Sequence, residues 1–531
     1  MKLFFLQLAL LINFITIAQQ FTQISDINPG TPGSNPDNFT QLNNDLIFTA
    51  STDPWTILNS IYKSDGTTIG TSLLMNITPH SDNIPDEEIF VKSSGILFFK
   101  ELVNNLGTHT YKLWKTDGTT GGTVLVKDFN SKEYSSNLCE MNGMLYFIIS
   151  YPDLVWGNTI HELWKSDGTL NGTVMVKNWT NSGFGNSITI RSFSNKIYFS
   201  GNESDGTLGG TIQTGVILPL ISESCLLNNV IYYRGNDGKI WKTDGTLLGT
   251  LQAVDFPVSY LANFYSTNGW IYFSGGYNGV GLPGNELCKT DGTLVNTSII
   301  KDIYFGFNSS NPTQFIDING TIFFLANDGI NGKELWKTDG TTGGTVLVKD
   351  IYPGSNLNDN IQEYQGIKHD NQLYFYIRNP SFINYTGIWK SDGTSINTVL
   401  VQPFADSLSE LLEINCNLFM SADDLSMSWG NNQNSELWCD TSNCTFLDLN
   451  YMDELKPSQV YPNPTTSKIT VKSSLALIGK EFNIYDQLGK AVKSGVITSE
   501  ETEIDLSNLT EGVYLFKAGA EMQETFKIIK Q

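Results

Sequence analysis

The apolar positions of this chain come in short bursts set between tight polar turns, and the bursts repeat. One segment reads KELWKTDGTTGGTVLVKDI from Lys333 to Ile351; it recurs as KLWKTDGTTGGTVLVKDF from Lys112 to Phe129 and as HELWKSDGTLNGTVMVKNW from His161 to Trp179. Related copies start at Ile61, Ile240, Glu286 and Ile388, while SDGTLGGT from Ser204 lacks the Trp and ELWCDTSNCTF from Glu436 lacks the Asp-Gly-Thr. The Asp of each copy falls at Asp65, Asp117, Asp167, Asp205, Asp244, Asp291, Asp339, Asp392 and Asp440, a mean spacing of about 47 residues, in the range of propeller blades. Short apolar runs bounded by Asp-Gly and Asn-Gly predict strands joined by hairpins, with almost no helix.

A second motif keeps the same period: a tight turn followed by an aromatic strand, as in NGMLYF at Asn142, SNKIYF at Ser194, NGWIYF at Asn268, INGTIFF at Ile318 and NQLYF at Asn371. Asn-Gly is a strong two-residue hairpin signal. One unit therefore reads strand, Asn-Gly-type turn, aromatic strand, variable loop, ELWK strand, Asp-Gly-Thr turn, TVLVKD strand. Runs such as Thr123 to Val126 are expected to be buried on both faces, as happens when each small sheet packs between two neighbours. A lone unit cannot bury both faces, so the units must stack in a closed ring or a solenoid. The prediction is an all-β chain with a β-propeller of about eight to nine four-stranded blades, the fourth unit shortened and the ninth divergent. FTQISDINPG from Phe21 resembles the fourth-strand ending VLVKDIYPG at Val346, so the N-terminal segment is expected to complete the last blade and protect the ring from open edges. Trp114, Trp164, Trp241, Trp336, Trp389 and Trp438 share one unit position, held by Tyr62 and Cys288 in two other copies; this predicts packing between blades.

These residues resemble the ELWxxDGT repeat proteins, over roughly residues 21–450. The resemblance implies a repeat protein on exported bacterial chains, with no enzymatic activity that can be carried to a residue. Past a linker at 451–458 the pattern changes to VYPNPTTSKITV at Val460, IYDQLGKAV at Ile484 and IDLSNLTEGVYLFKA at Ile504. Alternating apolar strands with a Pro-Asn-Pro entrance predict a small β-sandwich over 459–531. This segment is similar to the type A C-terminal sorting domain of the type IX secretion system of Bacteroidetes, an immunoglobulin-like sandwich. By that resemblance Pro462, Asn463, Pro464, Gly489, Gly512, Lys527, Ile528 and Ile529 belong to the sorting signal, and the type IX secretion machinery is the partner. The chain departs from the pattern by stopping at Lys530-Gln531 instead of on a basic residue.

The N-terminus reads as a signal peptide over 1–18: Lys2 precedes an apolar run from Leu3 to Ile17, with cleavage between Ala18 and Gln19. The propeller would then occupy 19–450. The apolar run is short for a bilayer of roughly 30 Å, and no later stretch is long and apolar enough, so no membrane span is expected in the mature chain. Export by Sec and then type IX secretion would leave the protein secreted or on the cell surface. With 54 acidic against 32 basic residues the formal charge is -22, which argues against nucleic acid or an anionic membrane as partner. Six cysteines are few for a disulfide scaffold of 531 residues. Cys139 and Cys225 lie in strand-like positions and read as buried thiols, whereas Cys439 and Cys444 flank the altered turn of the last copy and are candidates for a disulfide.

No motif for zinc hydrolysis, acyl transfer or phosphoryl transfer is present: His80, His109, His161 and His369 form no close pair, and there is neither a G-x-S-x-G elbow nor a phosphate-cradling Gly loop. No cofactor is expected. Asx-rich loops such as NDGINGKE from Asn327 offer oxygens for weak calcium binding but match no complete calcium motif. The repeated Asp117, Asp167 and Asp339 fit a side-chain-bonded turn better than a metal site. In an up-and-down blade the Asn-Gly and Asp-Gly-Thr turns share one face, and the irregular loops with the blade-to-blade links share the other, where recognition is normally placed. Trp55, Trp156 and Trp429, with Tyr277 and Tyr385, fall in the second-to-third-strand loops of that variable face. Aromatic planes suit the C–H faces of sugar rings, and covering the local core is the competing reading. The preferred function is a non-enzymatic binding or adhesion module for glycan or another surface polymer. A polysaccharide lyase or hydrolase on the propeller scaffold, with acids converging on its axis, is one alternative, and a structural spacer is another.

Overall fold

The computed structural model describes residues 21–28, 33–51, 59–76, 88–105, 108–129, 134–153, 158–182, 188–255, 258–277, 283–352, 361, 363–378, 385–404, 408–423, 435–440, 459–472, 480–486, 490–499, 501–518 and 524–531. The chain divides into two compact units, 1–443 and 444–531. The signal peptide with Ala18 and Gln19, the 451–458 linker and Cys444 lie outside the described residues.

Unit one contains nine antiparallel sheets among the described residues, eight of them strand-by-strand meanders. Blade 7 shows the plan: Thr313–Ile318, Thr321–Asn327, Lys333–Thr338 and Val346–Lys349 lie side by side in chain order. Blades 1 to 6 span 37–75, 91–128, 134–182, 191–213, 224–254 and 258–301, and blade 8 spans 363–403. In blade 3 the first strand is broken into Tyr134–Ser135 and Cys139–Met141, both paired to Met144–Pro152. Blade 4 is short because its second and third strands, Lys196–Phe199 and Asn202–Ser204, join through a two-residue turn. Blade 9 takes three strands from 408–440 and its fourth, Thr22–Ser25, from the other end of the chain, with Thr22 opposite Cys439 and Gln23 opposite Trp438. The ring is thus closed by backbone pairing of distant segments, and the outer neighbour of Cys439 is this N-terminal strand.

The core sits between blades. Phe98, Leu113 and Phe129 of blade 2 pack on Leu145, Phe147 and Trp164 of blade 3, and Ile24, Phe419 and Leu437 of blade 9 pack on Leu46, Phe48 and Tyr62 of blade 1. The shared Trp position meets the preceding blade in most copies: Trp336 and Trp389 are buried in the seams of blades 6–7 and 7–8, and Cys288 fills the same place between blades 5 and 6, whereas Trp241 bonds Asp237 within its own blade. The expectation of two-sided burial for Thr123 to Val126 is corrected. Thr123 and Val126 are buried, but Val124 and Leu125 are 38% and 43% exposed, because the fourth strand is the outer edge of its sheet and the gap between blades widens there. Two-sided burial belongs to the second strand, where Leu145, Tyr146, Phe147, Ile148 and Ile149 are all buried.

Unit two is a sandwich of a three-stranded sheet, Gln459–Tyr461, Lys468–Lys472 and Glu501–Asp505, and a four-stranded sheet, Ala491–Val496, Glu481–Tyr485, Gly512–Ala518 and Glu524–Lys530. Alternate residues such as Ile469, Val471, Ile504, Phe516 and Ile528 fill its core.

Candidate functional site

The repeated residues build the turn face. In blade 7, Asp339 Oδ1 accepts the Thr341 amide at 2.8 Å and its hydroxyl at 2.7 Å, Thr341 Oγ1 accepts the Gly344 amide, and Thr338 and Thr345 hydroxyls meet at 2.8 Å. The corresponding carboxylate bonds recur at Asp65, Asp117, Asp167, Asp205, Asp244, Asp291 and Asp392. The two Thr bonds hold the Asp117, Asp167 and Asp339 carboxyls below their ordinary range, since they stabilise the charged form. Gly340 at φ 84° supplies the left-handed step that the turn requires. These Asp side chains are turn pins. The repeated Lys is structural as well: Lys127, Lys177, Lys301 and Lys349 each reach a Thr carbonyl of the next blade's turn, at Thr173, Thr211, Thr345 and Thr398, with Lys127 also 4.7 Å above the Trp164 ring. Nearer the axis, Asn-Gly turns bond to their neighbours, as Asn268 does to Asp317 and Asn415 to the Asn44 carbonyl. Exposed aliphatics such as Ile69, Leu248, Val295 and Ile396 tip the Asp-Gly-Thr turns.

The loop face is built by a residue that sequence reasoning missed, the Glu of ELWK. Glu286 is fully buried and accepts four bonds from the link to blade 7: the amides of Ile303 at 2.8 Å, Tyr304 at 3.4 Å and Ser310 at 2.9 Å, and the Ser310 hydroxyl at 2.5 Å. Glu334 accepts the Ile351 and Tyr352 amides at 2.8 and 3.3 Å, and Glu436 accepts the Ser34 amide and hydroxyl at 2.8 and 2.6 Å. Burial pushes these carboxyls up, Glu334 to about 8 and Glu436 to about 6, against the pull of the donors. A signal existed: Glu286, Glu334 and Glu436 belong to copies whose outgoing link begins Asp-Ile, at Asp302, Asp350 and Asp26. Where the ring closes, Glu410 of blade 9 accepts the Phe39 amide of blade 1, and burial, with Asp37 close by, raises its carboxyl to about 7.

The link from Asp302 to Pro312 is also held laterally. Asn285 N–H donates to Ser309 Oγ at 2.9 Å, Asn327 N–H donates to the Ser310 carbonyl at 3.0 Å, and the Tyr304 ring lies so close over Gly329 that a Cβ there would meet it at 2.3 Å. On this fixed link Phe305 is 88% and Phe307 69% exposed, and Ile330 of the adjoining loop is 70% exposed. Ser310 and Asn311 of the same link, with Thr313, Asn327 and Lys333, line a cavity of about 290 Å³.

Trp55, Trp156 and Trp429 lie outside the described residues, as do Gly489 and His80. Tyr277 ends the strand Trp270–Tyr277 opposite Val258. Tyr385 is half-buried, packs edge-on against Tyr352 with ring centres 5.8 Å apart, and gives its carbonyl to Trp389 Nε1 at 2.9 Å; it covers the blade 7–8 core. In the NDGINGKE loop, Asp328 Oδ1 accepts the Ile330 and Asn331 amides and Asn327 Oδ1 accepts that of Gly329, so these oxygens turn inward. Among the described residues no three His, Cys, Asp or Glu side chains gather as metal ligands do. His161 is buried and bonded to Ser150 at 2.8 Å, and His369 is buried 3.3 Å from Glu413. Cys139 and Cys225 are half-buried, and burial raises both thiols, Cys225 to about 12.

In unit two the predicted signal residues meet. The exposed Asn463 side chain donates to the Lys527 carbonyl at 2.6 Å and accepts the Ile529 amide at 2.8 Å. Thr465, one residue past Pro464, exchanges further backbone bonds with Ile529 and Gln531. The Pro462-Asn463-Pro464 entrance is thereby laced to the last strand, whose Ile528 is in the core and whose Lys530 pairs with Gly512.

A comparison with curated proteins finds no match. Among solved structures, PorZ of Porphyromonas gingivalis, described as an essential bacterial surface component of the type IX secretion system, is 12% identical, with 93% of this chain and 75% of that one covered, at a TM-score of 0.30. The computationally designed Ika8 protein is 15% identical over 67% of this chain and 97% of its own, at 0.35. The propeller domain of the Trilobed protease from Pyrococcus furiosus is 12% identical over 70% and 99%, at 0.30. Scores of this size carry no argument, and the propeller rests on the strand pairing described above. Residues 459–531 match the secretion system C-terminal sorting domain. The second unit is therefore a type IX sorting domain, and the chain is a secreted or cell-surface protein handled by that secretion machinery, carrying a β-propeller as its cargo body.

Proposed function

We propose that the propeller is a non-enzymatic binding or adhesion module for glycan or another surface polymer, displayed by an ELWxxDGT repeat protein of a Bacteroidetes-type bacterium. The leader at 1–18 would carry the chain through Sec before the sorting domain engages the type IX machinery. One observation supports the binding reading above the others. The repeated polar side chains of the turn face are bonded within the ring, whereas the link of the opposite face presents Phe305 and Phe307 to solvent on a segment that Glu286 holds in place. Exposed aromatic area on a fixed support is the usual anchor of a binding surface. The loops carrying Trp55, Trp156 and Trp429 would enlarge that surface. A glycan array probed with the full chain tests the reading: retention of one polymer class is the expected outcome, and a blank array together with failure to bind whole bacterial or host cell surfaces would leave the spacer as the better account.

A further inference from the structure

Resting on that reading, we infer that the cavity lined by blade 7 and the link that enters it is a subsite for an uncharged pyranose unit of the polymer, with Phe305 and Phe307 of that link as its apolar platform and Thr313 as an inward hydroxyl contact. The cavity, about 290 Å³, is close to the lower end of ligand-pocket volumes, about 300 Å³, so it suits one ring better than an extended ligand. Its lining is mixed as sugars require: the hydroxyls of Ser310 and Thr313, the amides of Asn311 and Asn327, and one ammonium, Lys333. Thr313 Oγ1 is buried with no hydrogen-bond partner among the described residues. A buried hydroxyl left unbonded is unfavourable, and a ligand hydroxyl entering the cavity would supply the missing partner.

Preorganisation separates this aromatic pair from a chance exposed patch. The link that carries it is bonded from below by Glu286, from the blade 6 side by Asn285 and from the blade 7 side by Asn327. Little ordering entropy remains to be lost on binding. Charge selects the sugar class. Burial disfavours the ammonium of Lys333, the one cationic residue of the lining, and the chain as a whole carries -22, so a uronate or sulfated unit would meet net repulsion where a neutral ring meets none. The C–H face of a neutral pyranose can lie on Phe305 or Phe307 while its hydroxyl edge turns toward Ser310, Asn311 and Thr313.

The test uses the full chain and two variants, Phe305→Ala/Phe307→Ala and Thr313→Val, in affinity electrophoresis and calorimetry against a soluble β-glucan, a mannan, a galactan and polygalacturonate. The expected result is binding to at least one neutral polymer, a loss of about tenfold or more in the double variant, a smaller loss in Thr313→Val, and thermal midpoints that stay near that of the parent. Binding that survives the double substitution would overturn the subsite while leaving a polymer-binding surface elsewhere on the loop face. Preference for polygalacturonate would overturn the neutral-sugar assignment. Absence of binding to all four polymers, with the parent folded, would overturn the subsite, and the array above then decides whether the broader reading falls with it.

Discussion

Glu334 offers the most demanding test of the clasp that fixes the loop face. Its side chain is fully buried, and each oxygen accepts one backbone amide of the link to blade 8, Ile351 at 2.8 Å and Tyr352 at 3.3 Å. Replacement by Ala strands both amides at about 1–3 kcal/mol each and opens a cavity, so a loss of about 3–5 kcal/mol is expected. Glu334→Gln keeps the shape and one acceptor, and about 1–2 kcal/mol should be lost at neutral pH. The pH dependence distinguishes a buried carboxyl from an ordinary hydrogen-bonding group. Burial, reinforced by Asp350 and Asp328, raises the folded-state pKa to about 8 from 4.5, so above 4.5 the unfolded chain releases a proton that the folded chain retains. The stabilising contribution is complete below pH 4.5 and declines as pH rises toward 8, with a limiting slope of about 1.4 kcal/mol per unit. Gln does not titrate. The gap in urea midpoint between parent and Glu334→Gln should therefore narrow steadily from pH 5 to pH 8, and a gap that is constant or widens over that range would refute the account.

Truncation after Asn450 removes the sorting domain, and the chain should then accumulate in the periplasm of a type IX-competent host; export at the full-length level, followed by cell fractionation, would contradict this. Trp336→Ala empties a seam site only 6% exposed and should cost about 3–5 kcal/mol, whereas Leu248→Ser, at 93% exposure, should leave the unfolding free energy unchanged within about 0.5 kcal/mol. Gly344→Ala drives a Cβ to 2.1 Å from Asp339 Oδ1 and should destabilise the turn. Gly344→Asn should recover much of the loss, because Asn296 and Asn397 occupy that position in two other turns and donate to the turn Asp at 2.6 Å; equal melting losses for the two substitutions would disprove the pairing.

The blade plan was legible because each turn carries its own chemistry. Asp339, Gly340 and Thr341 specify a bonded turn without help from distant residues, and Phe21 to Gly30 declares its kinship with the fourth strand by sequence alone. Burial was less legible, since Val124 and Leu125 have the composition of a buried strand and only their place at the outer edge exposes them. The clasp escaped because ELWK reads as a strand centred on its Trp, while the partners of Glu286 lie 17 to 24 residues further on. Phe305 and Phe307 are hidden for a related reason: the repeat pattern points to aromatics in the loops between second and third strands, and these two sit on a link between blades. Tyr385, which does sit in such a loop, covers the core instead.

The division of labour between repeated and unrepeated residues follows from the geometry of the ring. A side chain that recurs in most blades meets the same neighbour in each, so Asp, Thr, Lys and Asn of the repeat find partners within the protein and are withdrawn from any ligand. Recognition must then come from what varies, and variation is concentrated in the links and in the loops between second and third strands. Variation alone gives no fixed surface, because an irregular segment loses conformational entropy whenever it orders on a ligand. Glu286, Glu334 and Glu436 resolve this conflict for the links: a carboxyl group presented by the regular third strand grips the irregular segment through backbone amides, which every sequence possesses. The link can change its exposed side chains, as Phe305 and Phe307 stand where the next link has Pro353 and Ser355 and the N-terminal one Pro29 and Thr31, while the clasp keeps its donors.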